Sequence, residues 1–249
     1  MRIAIISDIH EDIVNLRKIL DRLDRAGYDR LVCLGDISGF SVPFYTYHGT
    51  RSAHDCLSLL RERDALIVPG NHDYHAAGRV PQHSPAFDFP SDWYDLEYGQ
   101  RIELTNSEVW LHEEDDLESL YTADDIAYLR TLPEYRVMDD TGGPPLLFSH
   151  YAWPNLSGFN KAFYSVPRDF GGHFGFMASL DCSISFTGHT HIGGHYTAFP
   201  RRIRYHGYGR RRLKAFPVVV GIPPATSHQN RSGFCIFNAE NTVLRVVRC

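Results

Sequence analysis

The sequence predicts a layered α/β fold, and three observations carry that expectation. Short apolar runs recur along the chain and are apolar at nearly every position, the pattern of strands buried on both faces. Between the first of these runs lie segments whose apolar residues repeat at helical spacing, giving a β-α-β-α-β beginning. The 249 residues are 43% hydrophobic and 22% charged, enough apolar material for one core without disulfides or a structural metal.

The elements follow in order. Ile3–Ile6 is the first run. Glu11–Ala26 carries Ile13, Leu16, Ile19, Leu20 and Leu23 on one helical face, and Gly27 stops it. Leu31–Leu34 is the second strand, Ala53–Arg63 a second helix, and Ala65–Val68 a third strand. Roughly Gly78–Trp110 is rich in Pro, aromatic and polar residues without a clear period, and reads as a long loop or lid-like insertion. The chain then turns acidic, and the run Glu113–Asp116 reads as a solvated helical face. Thr122 and Asp125 form a capping box that opens a helix ending before Pro133. Leu146–Phe148 and Ile184–Phe186 are two further buried strands. The last third reads as antiparallel pairs. Arg201–Tyr205 and Arg210–Phe216 flank a turn at His206–Gly209, and Gly233–Phe237 and Thr242–Val247 flank one at Asn238–Asn241. With no linker or repeat, residues 1–249 are expected to form a single domain.

Charge and cysteine usage narrow the class. A net charge of −5 argues against a nucleic-acid coat or a basic membrane-surface protein. Five scattered cysteines without a C-x-x-C pair argue against a disulfide framework or zinc ribbon and for a reducing compartment. The apolar stretch at the N-terminus is too short for a signal peptide, and no run approaches a membrane span. A soluble, cytoplasmic protein is therefore expected. The count of 14 His against 5 Cys directs attention to imidazole chemistry.

That chemistry collects after the strands. Asp8 and His10 follow the first, Gly35 and Asp36 the second, and Gly70, Asn71, His72 and Asp73 the third. His150 follows the fourth, and Gly188, His189 and His191 the fifth. Ligands in open α/β sheets gather beyond the carboxyl ends of strands. Carboxylate, carboxamide and imidazole donors suit Mn²⁺, Fe²⁺ or Zn²⁺, and two such ions can clamp both the attacking and leaving oxygens of a phosphoryl displacement. Glycines at 35, 70 and 188 allow tight turns and close approach where the ligands converge.

The ordered set Asp8-Ile9-His10, Gly35-Asp36, Gly70-Asn71-His72-Asp73, His150 and Gly188-His189-Thr190-His191 resembles the calcineurin-like metallophosphoesterases. Each piece alone is weak, but all five in order are specific. Val218–Pro223 and Ser232–Phe237 also resemble the end of small bacterial members, so the likeness spans essentially the whole chain. The resemblance implies an αββα sandwich and a hydrolase with two divalent ions, Mn²⁺ foremost, with Fe, Zn, Ni or Mg as alternatives. It implies Asp8, His10, Asp36 and His191 on one ion, and Asp36, Asn71, His150 and His189 on the other, with Asp36 bridging. It further implies in-line attack by a metal-bound hydroxide, with His72 at the leaving oxygen and Asp73 orienting the His72 ring. Serine/threonine phosphatases continue G-D with V-D-R-G and carry G-N-H-E, whereas this chain has Ile37-Ser38-Gly39-Phe40 and Asp73. Those departures favour the broader phosphodiesterase group, acting on small organic phosphates or nucleotides.

The remaining features have plainer readings. The other nine histidines default to surface or core roles, with His75 and His195 the nearest to the motifs. The hairpin of Arg201, Arg202, Arg204, Arg210, Arg211, Arg212 and Lys214 reads as a charge-protected sheet edge. Its alternative is a phosphate strip beside the site, which would make the protein a nuclease with nucleic acid as its partner. The aromatic segment Phe159–Phe176 reads as core packing or a lid rather than a base-stacking surface. A non-catalytic interaction scaffold is disfavoured by the intact ligand set. A homo-oligomer remains open.

Overall fold

A computed structural model describes residues 1–84, 87–112, 115–229 and 231–249. Its strands are β1 (Arg2–Ile6), β2 (Arg30–Cys33), β3 (Phe40–Ser41), β4 (Leu66–Ile67), β5 (Asp116–Leu117), β6 (Tyr135–Met138) and β7 (Leu146–Ser149). They continue as β8 (Ile184–Thr187), β9 (His195–Phe199), β10 (Arg202–His206), β11 (Gly209–Arg212), β12 (Val218–Gly221), β13 (Gly233–Asn238) and β14 (Val243–Arg248). The α-helices are α1 (Ile13–Ala26), α2 (Ala53–Glu62), α3 (Asn71–Ala76), α4 (Tyr98–Thr105), α5 (Ala123–Thr131) and α6 (Gly171–Ser179).

Two six-stranded sheets form the centre, in the orders β11-β14-β13-β1-β2-β4 and β10-β9-β12-β8-β7-β6. Their facing sides share a core that includes Ile3, Ile5, Val32, Phe148, Ile184, Phe186, Val220 and Phe237. The outer side of the first sheet is covered by α1, α2 and α5 through Leu16, Leu20, Leu57, Leu60 and Leu129. The outer side of the second is covered by α6 through Met177. The helix–sheet–sheet–helix sandwich thus follows from strands apolar on both faces.

Helix α1 shows the local rules. Asp12 caps its start by accepting from the Asn15 N–H, and Gly27, at φ 74°, closes it with its N–H on the Leu23 carbonyl. Its five buried apolar side chains contribute about 1.5–3 kcal/mol each by leaving water. The capping box at Thr122 and Asp125 is present, and α5 ends at Thr131.

Three expectations change. The run Arg201–Phe216 is not a hairpin: β10 pairs with β9, whereas β11 pairs with β14 in the other sheet. The tight turn after Phe199 already gives β10 its partner, so the chain crosses between sheets at 207–208, and Leu213 follows buried in the inter-sheet core. Both arginine strands are sheet edges. Residues 78–110 are not all loop, because α4 forms there, with the Glu97 N–H donating to the Gln100 side chain and Asn106 left-handed at the end. Few of its residues are buried, so no hydrophobic period announced it. The acidic run is not helical at its described end, where Asp116 opens β5 against β3; Glu113 and Glu114 lie outside the described residues. The hairpin of β13 and β14 forms as expected. No helix among the described residues is long and apolar enough to cross a membrane.

Candidate metal centre

Strands β1, β2 and β4 run parallel in one sheet, and β7, β8 and β12 run parallel in the other. The loops leaving their carboxyl ends meet across the sandwich. Asp8, His10 and His191 form one group of converging ligand atoms, and Asp36, His150 and His189 form a second. Each group draws on loops from both sheets, so neither exists until the sandwich closes.

The spacing fits a metal. His10 Nε2 and His191 Nε2 face one another at 3.1 Å, and His191 Nε2 lies 3.2 Å from Asp8 Oδ1. His150 Nε2 lies 3.2 Å from Asp36 Oδ2 and 3.2 Å from His189 Nδ1. Donors about 2.1 Å from a shared ion would stand about 3.0–3.4 Å from one another, so these distances match. The Asn71 side-chain oxygen is buried and has no hydrogen-bond partner, as an unfilled ligand would. The far sides of two rings are fixed. His10 Nδ1 donates to the Gly39 carbonyl at 2.8 Å and His150 Nδ1 to the Leu34 carbonyl at 2.6 Å, leaving each Nε2 lone pair for a metal.

The backbone is strained where the ligands sit. Asp8, His10, Asp36, His189 and His191 all have positive φ, between 47° and 66°. Left-handed non-glycine residues are uncommon, and their concentration here marks geometry imposed by the surrounding structure. Close approach also requires two glycines. A Cβ on Gly70 would strike the Asp36 carboxylate, and one on Gly188 would strike the Ser7 hydroxyl.

Electrostatics follow the same grouping. Burial resists ionisation of Asp8 and Asp36, yet the neighbouring His191 and His150 hold both carboxyls below the ordinary range. His150 is opposed by its own burial but raised to about 9 by Asp36. Burial lowers His189 and His72 to about 3 each.

The His72 N–H donates to Asp36 Oδ1, and its ring lies 4.3 Å from Trp110. Its Nδ1 is buried without a hydrogen-bond partner, so Asp73 does not orient it. The Asp73 carboxylate instead accepts from the N–H groups of Ile37, Ser38 and Gly70 and from the Ser38 hydroxyl, at 2.8–3.0 Å. It fastens the loop of Asp36 to the start of α3, which carries Asn71 and His72, while burial and Asp36 raise its pKa to about 6.

A cavity of about 380 Å³ opens over both groups, with Phe44, Tyr45, Trp110, Phe163 and His228 among its other walls and Ser41 and Asp116 adding polar ones. Phe163 is 63% exposed yet lies over His189 at 5.3 Å, and Tyr45 stacks on His10 at 5.2 Å. These walls carry no motif; only the aromatic segment 159–176 hinted at Phe163. His195 does not line the cavity and instead contacts Gly207 and His206. None of Arg201, Arg202, Arg204, Arg210, Arg211, Arg212 and Lys214 lines it either.

Sandwich, strand-end donors and cavity together define the calcineurin-like class of metal-dependent phosphoesterase. Residues 1–193 match the family described as calcineurin-like phosphoesterase, and the chain belongs to it. Its fold is similar to that of a metallophosphoesterase from Sphaerobacter thermophilus, with 21% identity, 100% of this chain and 87% of that chain covered, and a TM-score of 0.66. A hypothetical protein from Pyrococcus horikoshii OT3 is similar at 12% identity, with 99% and 87% covered and a TM-score of 0.58. An uncharacterized protein of Methanocaldococcus jannaschii is 35% identical over 77 residues, which are 31% of this chain and 28% of that protein. The chain therefore matches under a third of that relative's length.

Proposed function

We propose that the protein is a dimetal phosphoesterase acting on small organic phosphates or nucleotides. The observation that carries this reading is the pair of donor groups, set at metal-ligand spacing on the floor of one cavity beside His72. Asp8, His10 and His191 would hold one ion, and Asn71, His150 and His189 the other, with Asp36 shared. Mn²⁺ fits this nitrogen and oxygen set, as do Fe²⁺ and Zn²⁺. When bound, the ions would lower the pKa of water and neutralise charge building on the phosphoryl oxygens.

The chain's own residues do the rest. Asp36 holds the His72 backbone through its N–H, keeping the imidazole at the cavity wall, where it can donate to a departing oxygen. Asp73 keeps the two loops in register. Phe44, Tyr45, Trp110 and Phe163 offer apolar contact to an organic group. A nuclease reading is not favoured, because none of the arginines of 201–214 lines the cavity. The test is a panel of phosphomonoesters and phosphodiesters with Mn²⁺, Mg²⁺, Ni²⁺ and Zn²⁺ supplied in turn to the metal-stripped protein. Metal-dependent turnover of at least one ester class is expected, and no turnover with any of the four ions would refute the proposal.

A further inference from the structure

A third group of donors lies outside the strand-end centre. His75 comes from the last turn of α3, His112 from the segment that leaves the bridge between Val109 and Asn160, and Glu118 directly follows β5. Their ligand atoms all lie within 4.8 Å of one another. The Glu118 carboxylate oxygen Oε1 stands 3.4 Å from His112 Nε2 and 3.9 Å from His75 Nε2.

We propose that His75, His112 and Glu118 form a separate site for a zinc-class divalent cation, one that ties α3 to the segment around Trp110. The two imidazoles lie stacked, 8° from parallel with ring centroids 4.2 Å apart, and Glu118 Oε1 stands within 3.9 Å of both Nε2 atoms. An imidazole ligates through the lone pair in its ring plane, so one ring must turn out of the stack for both to hold one ion. Donors around a shared ion stand about 3.0–3.4 Å apart, so Glu118 must also close on His75 by about half an ångström. Glu118 can supply that second movement because its side chain is 75% exposed.

Donor chemistry selects the ion. Two nitrogens and one carboxylate favour Zn²⁺, Co²⁺ or Ni²⁺ over Mg²⁺, which prefers oxygen and keeps its waters. The exposed side leaves room for water to complete the coordination. The His75 ring also lies 6.0 Å from Trp110, whose other contacts include His72 at 4.3 Å. A bound ion would therefore brace the cavity wall from behind the indole.

The experiment compares full-length wild type with Glu118→Ala and His112→Ala, each stripped by chelator and titrated with Co²⁺, reading bound metal per chain and visible absorbance. Each variant is expected to bind one equivalent fewer than wild type and to lose the corresponding absorbance. Equal stoichiometry in all three proteins would overturn the site. Glu118 is mostly exposed, so its variant should keep the fold even if His112→Ala does not. Failure of the dimetal reading would change the wild-type total but not this difference, so the two outcomes are separable.

Discussion

The strand-end centre and the group of His75, His112 and Glu118 both combine imidazoles with carboxylates and differ in how they hold them. At the strand ends five of the donors sit in left-handed backbone, and every carboxylate is buried against an imidazole. In the second group the carboxylate is mostly solvent-exposed, and none of the three residues has positive φ. The first is preorganised, so binding there needs little further ordering. The second must draw an exposed glutamate inward, so an ion bound there should exchange more readily. Chemistry that stabilises a transition state needs the first kind of site, while bracing a loop needs only the second.

The largest effect should come from Asp36, the carboxylate proposed to serve both ions. Asp36→Asn should lower hydrolysis of bis-p-nitrophenyl phosphate by about two orders of magnitude or more, together with metal content. Wild-type rates in that variant would erase the contrast between a preorganised and a loosely held group. His72→Ala should keep the metals and slow turnover by about 10²-fold, more for poor leaving groups than for good ones. Equal slowing of both substrate classes would argue against a role at the leaving oxygen.

A histidine without any carboxylate sharpens the comparison. His173 is fully buried, accepts the Trp153 N–H and contacts the Ser185 hydroxyl, and burial lowers it to about 3. Its folded pKa lies below its unfolded value near 6.5, so the unfolded chain binds the extra proton as pH falls. The stability it contributes is complete above about 6.5 and falls by roughly 1.4 kcal/mol per pH unit from there toward 3. Urea unfolding at pH 7 and pH 5 should show wild type losing about 2 kcal/mol more than His173→Gln over that interval. Identical losses would show that the proton goes elsewhere. The smallest effect is expected at the cavity wall, where Phe163→Ala should raise KM a few-fold for aromatic esters and leave KM for methyl esters nearly unchanged; equal changes would deny it substrate contact.

Much of the strand-end site was legible because each donor directly follows an apolar run, so strand and ligand are read together. The sandwich was legible for the same reason. The left-handed backbone at Asp8 and His189 has no sequence signature, since it is imposed by loops from two sheets meeting. The partner of β11 could not be read either, because Arg210–Arg212 pair with β14 rather than with the strand just before them. The resemblance implies that Asp73 orients the His72 ring, yet its carboxylate accepts instead from the Ile37 and Ser38 amides. Phe44, His228 and Phe163 reach the cavity on separate loops, and nothing in their spacing joins them.

Anomalous diffraction from crystals soaked in Mn²⁺ tests the dimetal centre most directly. Two peaks are expected, one within coordinating distance of Asp8, His10 and His191 and the other of Asn71, His150 and His189, with Asp36 reaching both. A single peak, or none between these side chains, would contradict it.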